Sequence, residues 1–202
     1  MPSQTRKYEL KARAKQQEAT RERITQAAAE LHEEIGIART TIAEIARRAG
    51  VSRLTVYNHF PDETELFPAC TAHYLALHPQ PDFDSAFALE QPRDRVRAVL
   101  GALYRWYRET EPMMATVNAD RDSVPAVDDF CKQAWDPQFA ELASALAAKF
   151  GARGRRAGRL KALIAVALEF WTWRRLYREG FDDDEAADVM TRAVASAVSN
   201  QP

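Results

Sequence analysis

From Thr20 onward the chain shows apolar side chains at helical spacing. Ile24, Ala27, Ala28 and Leu31 recur at i, i+3, i+4 and i+7, with Ile35 beyond, and Gly36 is placed to close this helix in a left-handed cap. A second helix opens at Thr41, where Glu44 three residues on predicts a capping box, and Ile42, Ile45, Ala46 and Ala49 form its stripe. Gly50 supplies the positive φ of a tight turn, and Ser52 is a good N-cap for a short third helix that ends before Pro61. That third helix keeps only Val56 and Phe60, with Val51 before it, as strong hydrophobes. A helix built only for packing would carry a wider apolar stripe.

Asp62 and Glu65 predict another capping box, opening a helix through Leu66, Phe67, Tyr74 and Leu75 with a kink near Pro68. Residues 78–92, bracketed by Pro79, Pro81 and Pro92, are poorly periodic and read as a linker. Val96, Val99, Leu100, Leu103, Trp106 and Tyr107 then predict a helix over 93–110. A short helix follows over 112–122, and a longer one over 124–150, broken near Pro137. After a break at 151–156, residues 159–178 read as one helix apolar on two faces. Residues 184–199 repeat Ala186, Val189, Met190, Ala193, Val194, Ala197 and Val198 at helical spacing. Paired with a second copy, these last two helices (about 159–178 and 184–199) would form a four-helix interface with twofold symmetry, the homodimer we expect. An intrachain core is the alternative.

The turn between helices 41–49 and 52–60 has the dimensions of a helix-turn-helix. Ala46 is small where the helices cross, while Val51, Val56 and Phe60 seat the second helix. That leaves a short outer face. Arg53 suits a phosphate or a guanine edge, Thr55 and Tyr57 suit phosphate, and Asn58 suits an adenine edge. The free amides near Ser52 and Thr41 point two helix N-termini at anionic backbone. Leu54 would meet a thymine methyl or simply sit at the groove edge.

Charge sharpens this picture. The net charge over 202 residues is only −1, but residues 1–60 hold eleven Lys and Arg against seven Asp and Glu, so the positive charge gathers at the end carrying the motif. Residues 1–19, with Arg6, Lys7, Lys11, Arg13 and Lys15, read as a basic flexible arm, either solvated or touching DNA. Hydrophobic residues make up 46% and charged residues 28%, with few glycines and no long β-type alternation, so the expected fold class is all-α. No run approaches a membrane span and no export signal is visible, so no membrane partner and a cytoplasmic location, at the nucleoid when bound to DNA, are expected. Cys70 and Cys131 are then expected as reduced thiols.

The stretch TTIAEIARRAGVSRLTVYNHFPDETELF, residues 40–67, resembles the DNA-binding segment of the TetR/AcrR (tetracycline repressor-like) family of transcriptional regulators. The resemblance implies a helix-turn-helix DNA-binding domain over 20–67 and a helical ligand-binding and dimerisation domain over 68–202. It implies repression from a palindromic double-stranded DNA operator, bound as a homodimer and released by a small-molecule effector. It places Thr40, Thr41, Arg53, Thr55, Tyr57, Asn58 and His59 where members of that family touch DNA; Ser52 and Leu54 join them on the reading above. Two departures stand out: Glu63 occupies a position that is often lysine, and Leu54 one that is often Gly or Ala.

The C-terminal part is rich in rings and thioethers, which serve equally as core or as the lining of a pocket for an apolar or aromatic effector. The candidates are Trp106, Tyr107, Met113, Met114, Phe130, Trp135, Phe139, Phe170 and Trp171, with those near Pro112 and Pro137 favoured because irregular backbone leaves concavities; Glu169 is a rim charge or a polar anchor. His73 and His78 do not share a helix face, the cysteines lack metal spacing, and no phosphate loop or nucleophile elbow occurs, so neither a cofactor nor an enzyme is expected. The acidic run Asp182–Glu185 reads as the first turn of the last helix rather than a cation site. The competing reading is a helical adaptor that uses residues 40–60 on protein; it predicts no steep salt dependence with DNA.

Overall fold

A computed structural model describes residues 4–199; the side chains before Lys7 and those of residues 63, 64, 198 and 199 lie outside the description, and with them Arg6, Glu63 and Val198. Among the described residues every regular element is helical. The chain divides into two compact units, Met1–Leu77 with Thr116–Asp128, and His78–Ala115 with Asp129–Pro202.

In the first unit, helix α1 (Gln4–Ile35) packs on α2 (Ile42–Ala49) and α4 (Glu63–Leu77), and α2 packs on α3 (Arg53–His59). Helix α1 begins at Gln4 rather than Thr20, so the stretch expected as a flexible arm is helical backbone. Residues 4–19 contain no Gly or Pro and are rich in Ala, Glu, Gln, Lys and Arg, so a helix nucleated by the packed part propagates through them. Ile24, Ala28 and Leu31 of α1, Ile45 and Ala46 of α2, and Val56 and Phe60 share one core with Leu66, Phe67 and Tyr74 of α4. Gly36 takes φ 89°, the left-handed turn that ends α1.

The loop after Gly36 is held from far along the chain. Asp120, at the end of α7 (Glu111–Asp120), accepts the amides of Ile37 and Ala38 at 2.7 and 3.0 Å. Beneath it His32 is buried, with Nδ1 3.5 Å from Cys70 Sγ; burial pushes its pKa down to about 4, against the opposing pull of Asp120, so the imidazole is neutral at pH 7. Both cysteines are buried thiols, outside any disulfide.

In the second unit, α6 (Pro92–Glu109) buries Val96, Val99, Leu100, Leu103, Tyr104, Trp106 and Tyr107, and packs on the last helix, α12 (Asp183–Ser199). The expected linker at 78–92 carries a short helix, α5 (Asp84–Ala88), whose buried Ala86 faces the core. After α8 (Pro125–Phe130) comes a π-helical turn, Cys131–Trp135, and then α9 (Asp136–Ala148). Pro137 lies in the first turn of α9, and the wider turn before it, closed by the Asp136 amide on the Cys131 carbonyl, accommodates a residue that cannot donate.

The segment 159–178, expected as one helix, is two: α10 (Gly154–Leu168) and α11 (Phe170–Arg178). Glu169 adopts φ −67°, ψ 136° between them. The carbonyls released at this break are taken by buried phenols: Tyr104 donates to the Ala167 oxygen at 2.7 Å, and Tyr107 to the Leu168 oxygen at 2.8 Å. The acidic run caps α12. Asp182 and Glu185 exchange side chain-to-amide bonds of 2.8 and 3.0 Å, and Asp183 binds Arg108 and the Trp173 indole.

Candidate nucleic-acid interface

The geometry begins at the cap of α2. Thr41 accepts the Glu44 amide at 3.2 Å while the Glu44 carboxylate accepts the Thr41 amide and hydroxyl at 3.1 and 2.8 Å, a complete capping box. These bonds from Thr41 hold the Glu44 carboxyl below its usual range. At the other end, Gly50 takes φ 66°, ψ 38°, and the Val51 amide returns to the Ala46 carbonyl at 2.9 Å, closing the turn. Helix α3 starts at Ser52, whose hydroxyl accepts the Thr55 amide at 3.0 Å.

Packing then decides which side of α3 is free. Val56 and Phe60 are fully buried, whereas Leu54 is 69% and Tyr57 51% exposed. Arg53 and Asn58 are exposed beside them, and His59 is half-buried. Two large apolar side chains left in water on a seven-residue helix, next to a guanidinium and a carboxamide, form the narrow face the sequence predicts. Exposed Thr41 and half-buried Thr40 lie before α2. Two threonine hydroxyls already donate within the chain, Thr40 to the Gly36 carbonyl at 2.7 Å and Thr41 to Glu44, while the Thr55 and Ser52 hydroxyls share one bond at 2.8 Å. Tyr57, Arg53 and Asn58 are the readier donors on this face.

Two residues that position this face escape sequence reasoning. Arg21 of α1 lies over the Phe60 ring, 4.0 Å from its centre, and donates to the His59 carbonyl at 2.8 Å, fixing the end of α3. Arg48 makes a two-pronged bond to Glu34 at 2.6 Å on each arm, pinning α2 to α1. Neither has a local signal, since their partners lie 38 and 14 residues away.

Two of the pocket candidates, Trp106 and Phe139, share a cavity. A cavity of about 60 Å³ is lined by Leu103, Trp106, Phe139 and Leu142 together with Gln80, Pro81, Phe83 and Gln138. Tyr107 and Phe170 belong to an aromatic core around Trp173, with ring centres 5.4 to 5.8 Å apart. Met113 and Met114 are buried; Phe130 meets Trp135 edge to face at 6.0 Å; Trp171 is 44% exposed, with the Arg174 guanidinium 5.2 Å from its ring centre.

Residues 24–70 match the model of the family described as bacterial regulatory proteins, tetR family. An uncharacterized HTH-type transcriptional regulator of Mycobacterium tuberculosis is 46% identical over 54 residues, 27% of this chain and 29% of that protein. The regulator SrpR of Pseudomonas putida is 42% identical over 72 residues, 34% of each. The chain thus spans about a third of the length of these curated relatives. Its fold is similar to that of a TetR-like transcriptional regulator from Rhodococcus sp. RHA1, with a TM-score of 0.65 and 17% identity over 90% of this chain and 97% of that one.

Proposed function

We propose, from the match of residues 24–70 to the family of bacterial regulatory proteins, tetR family, that the chain is a transcriptional repressor of the TetR/AcrR type. On this reading it binds a palindromic operator as a homodimer and leaves it when a small, largely apolar effector binds. The observation that carries this is the outer face of α3: Arg53, Leu54, Tyr57 and Asn58 stand in solvent while Val56 and Phe60 hold the helix down. A face of that width enters a major groove through its N-terminal half.

Pairing through α10 and α12 is supported by small and apolar side chains left uncovered there. Val166 is 50% exposed, Ala162 and Ala193 are exposed, and Val189 is half-buried. A twofold arrangement of these faces gives two reading heads, with half-sites about 34–36 Å apart or a multiple of that. The cavity beside Trp106 and Phe139 supports the effector reading, because its lining is mostly apolar with two glutamines. It is far below the roughly 300–1,000 Å³ of a drug-sized site, so an effector must widen it. Tryptophan quenching across a library of hydrophobic compounds tests this; a wild-type response lost in Trp106→Phe is expected, and silence from every compound would remove the effector.

Selection of genomic fragments by the purified chain, followed by footprinting, tests the DNA reading. A protected palindrome is expected, and no enrichment over random duplex would overturn the proposal. On the selected duplex, Asn58→Ala should cost about 1–3 kcal/mol at one base step, and Tyr57→Ala should weaken binding on all sequences by loss of a phosphate contact. Equal losses from Asn58→Ala on every sequence would refute its base-reading role.

A further inference from the structure

We propose that the N-terminal half of α1 is a second DNA-contacting element, in which Lys7, Lys11, Arg13 and Lys15 neutralise phosphates beside the groove that α3 reads. The inference rests on the DNA-binding reading above and concerns a surface outside the helix-turn-helix.

The first argument is electrostatic. Residues 36–70, which contain the whole turn and both its helices, hold four arginines against four carboxylates, so the reading head is neutral. Of those arginines, Arg48 is taken by Glu34. Stable association with a duplex rests on neutralising several phosphates, typically about 6–10 in a specific complex. The charge for this must come from elsewhere in the chain. Within the first unit it is concentrated in residues 7–23, which carry six Lys and Arg against three glutamates.

The second argument is placement. Residues 7–19 are exposed throughout, and Lys7, Lys11, Arg13 and Lys15 make no ion pair among the described residues. The exposed half of α1 begins at the edge of the reading head itself: Arg21 is bonded to the His59 carbonyl, and the Arg23 guanidinium lies 3.9 Å from where a Cβ on Gly50 would stand. From there residues 4–19 run on as about 24 Å of helix. A basic helical surface continuous with the reading face is placed to follow the backbone of the same duplex.

The third argument selects the partner. A helix lying on a membrane needs a broad apolar face. Here the only large apolar side chains in residues 7–19 are Tyr8 and Leu10, and Lys, Arg, Gln and Glu occupy the rest of the surface apart from small alanines. That composition fits a polyanion.

The test is binding of the full chain to a random-sequence duplex and to a duplex the chain itself selects, across a series from about 50 to 200 mM salt. The triple variant Lys7→Gln, Lys11→Gln, Lys15→Gln should lower the slope of log K against log salt by about 2–3 per chain. It should also weaken binding to both duplexes at least ~10-fold at about 150 mM, with the preference for the selected duplex unchanged. The charge-preserving variant with Arg at the same three positions should keep the wild-type slope. An unchanged slope in the Gln variant overturns the inference and leaves the DNA reading intact. Equal losses in the Gln and Arg variants also overturn it, because shape rather than charge would then matter. A wild-type chain that binds neither duplex removes the DNA reading and this inference together.

Discussion

Phe60→Ala is expected to destabilise the first unit by about 3–5 kcal/mol and to abolish the proposed DNA binding. Phe60 is 1% exposed, its amide closes α3 on the Val56 carbonyl at 2.8 Å, and its ring carries the Arg21 guanidinium. Truncation leaves a void under α3 and removes the surface on which Arg21 rests, so the His59 carbonyl loses its fixed donor. Since a whole domain is stable by only about 5–15 kcal/mol, that loss is a large share. Chemical denaturation read alongside amide exchange checks it. Protection should fall in α2 and α3 while α6 keeps its own. A loss below about 1 kcal/mol would show that α3 is held without the Phe60 ring.

Trp173→Ala should cost a similar amount in the second unit, about 3–5 kcal/mol. Trp173 is fully buried, stacks on Tyr177 with ring centres 5.5 Å apart and planes 4° from parallel, and donates its indole N–H to Asp183 at 3.0 Å. Asp183 also receives Arg108 at 2.7 and 3.1 Å, so one carboxylate joins α6, α11 and α12. Trp173→Phe separates the two contributions. It keeps most of the packing and loses the donor, so it should cost only about 1–2 kcal/mol. Denaturation midpoints for the pair measure the difference. If Phe were as costly as Ala, the hydrogen bond to Asp183 would outweigh the ring.

The helix-turn-helix was legible because every instruction for it is local. Thr41 and Glu44 satisfy each other within one turn, Gly50 meets a backbone requirement that few other residues tolerate, and Ser52 caps the helix it precedes. The exposure of Leu54 and Tyr57 followed from the same short window, since seven residues with one buried valine leave little else to face the core. The start of α1 is hidden from the sequence pattern for the opposite reason. Residues 4–19 have no apolar periodicity to announce a helix, yet their intrinsic propensity extends one that tertiary packing has already nucleated.

The aromatic residues of the second unit show the limit of periodicity. Trp106, Tyr107, Phe170 and Trp171 lie on helical segments with similar local patterns, but one lines the cavity, two fill a core, and one stands in solvent. Which fate each meets depends on what packs opposite, and that information sits far away in the chain.

The sequence by itself determined the all-helical class, the caps and turn of the reading head, and the residues its third helix leaves outside, because hydrogen bonds three or four residues apart and a period of 3.6 are properties of a short stretch. Only the tertiary structure decided where 159–178 breaks and what holds the loop after α1. No glycine or proline marks Glu169; the helix can end there because Tyr104 and Tyr107, more than sixty residues earlier, supply the donors its final carbonyls need. The part-buried amide of Ile37 waits in the same way for Asp120, more than eighty residues away. A buried backbone group must find a partner, and when that partner is distant in sequence only the folded chain can say which one it is.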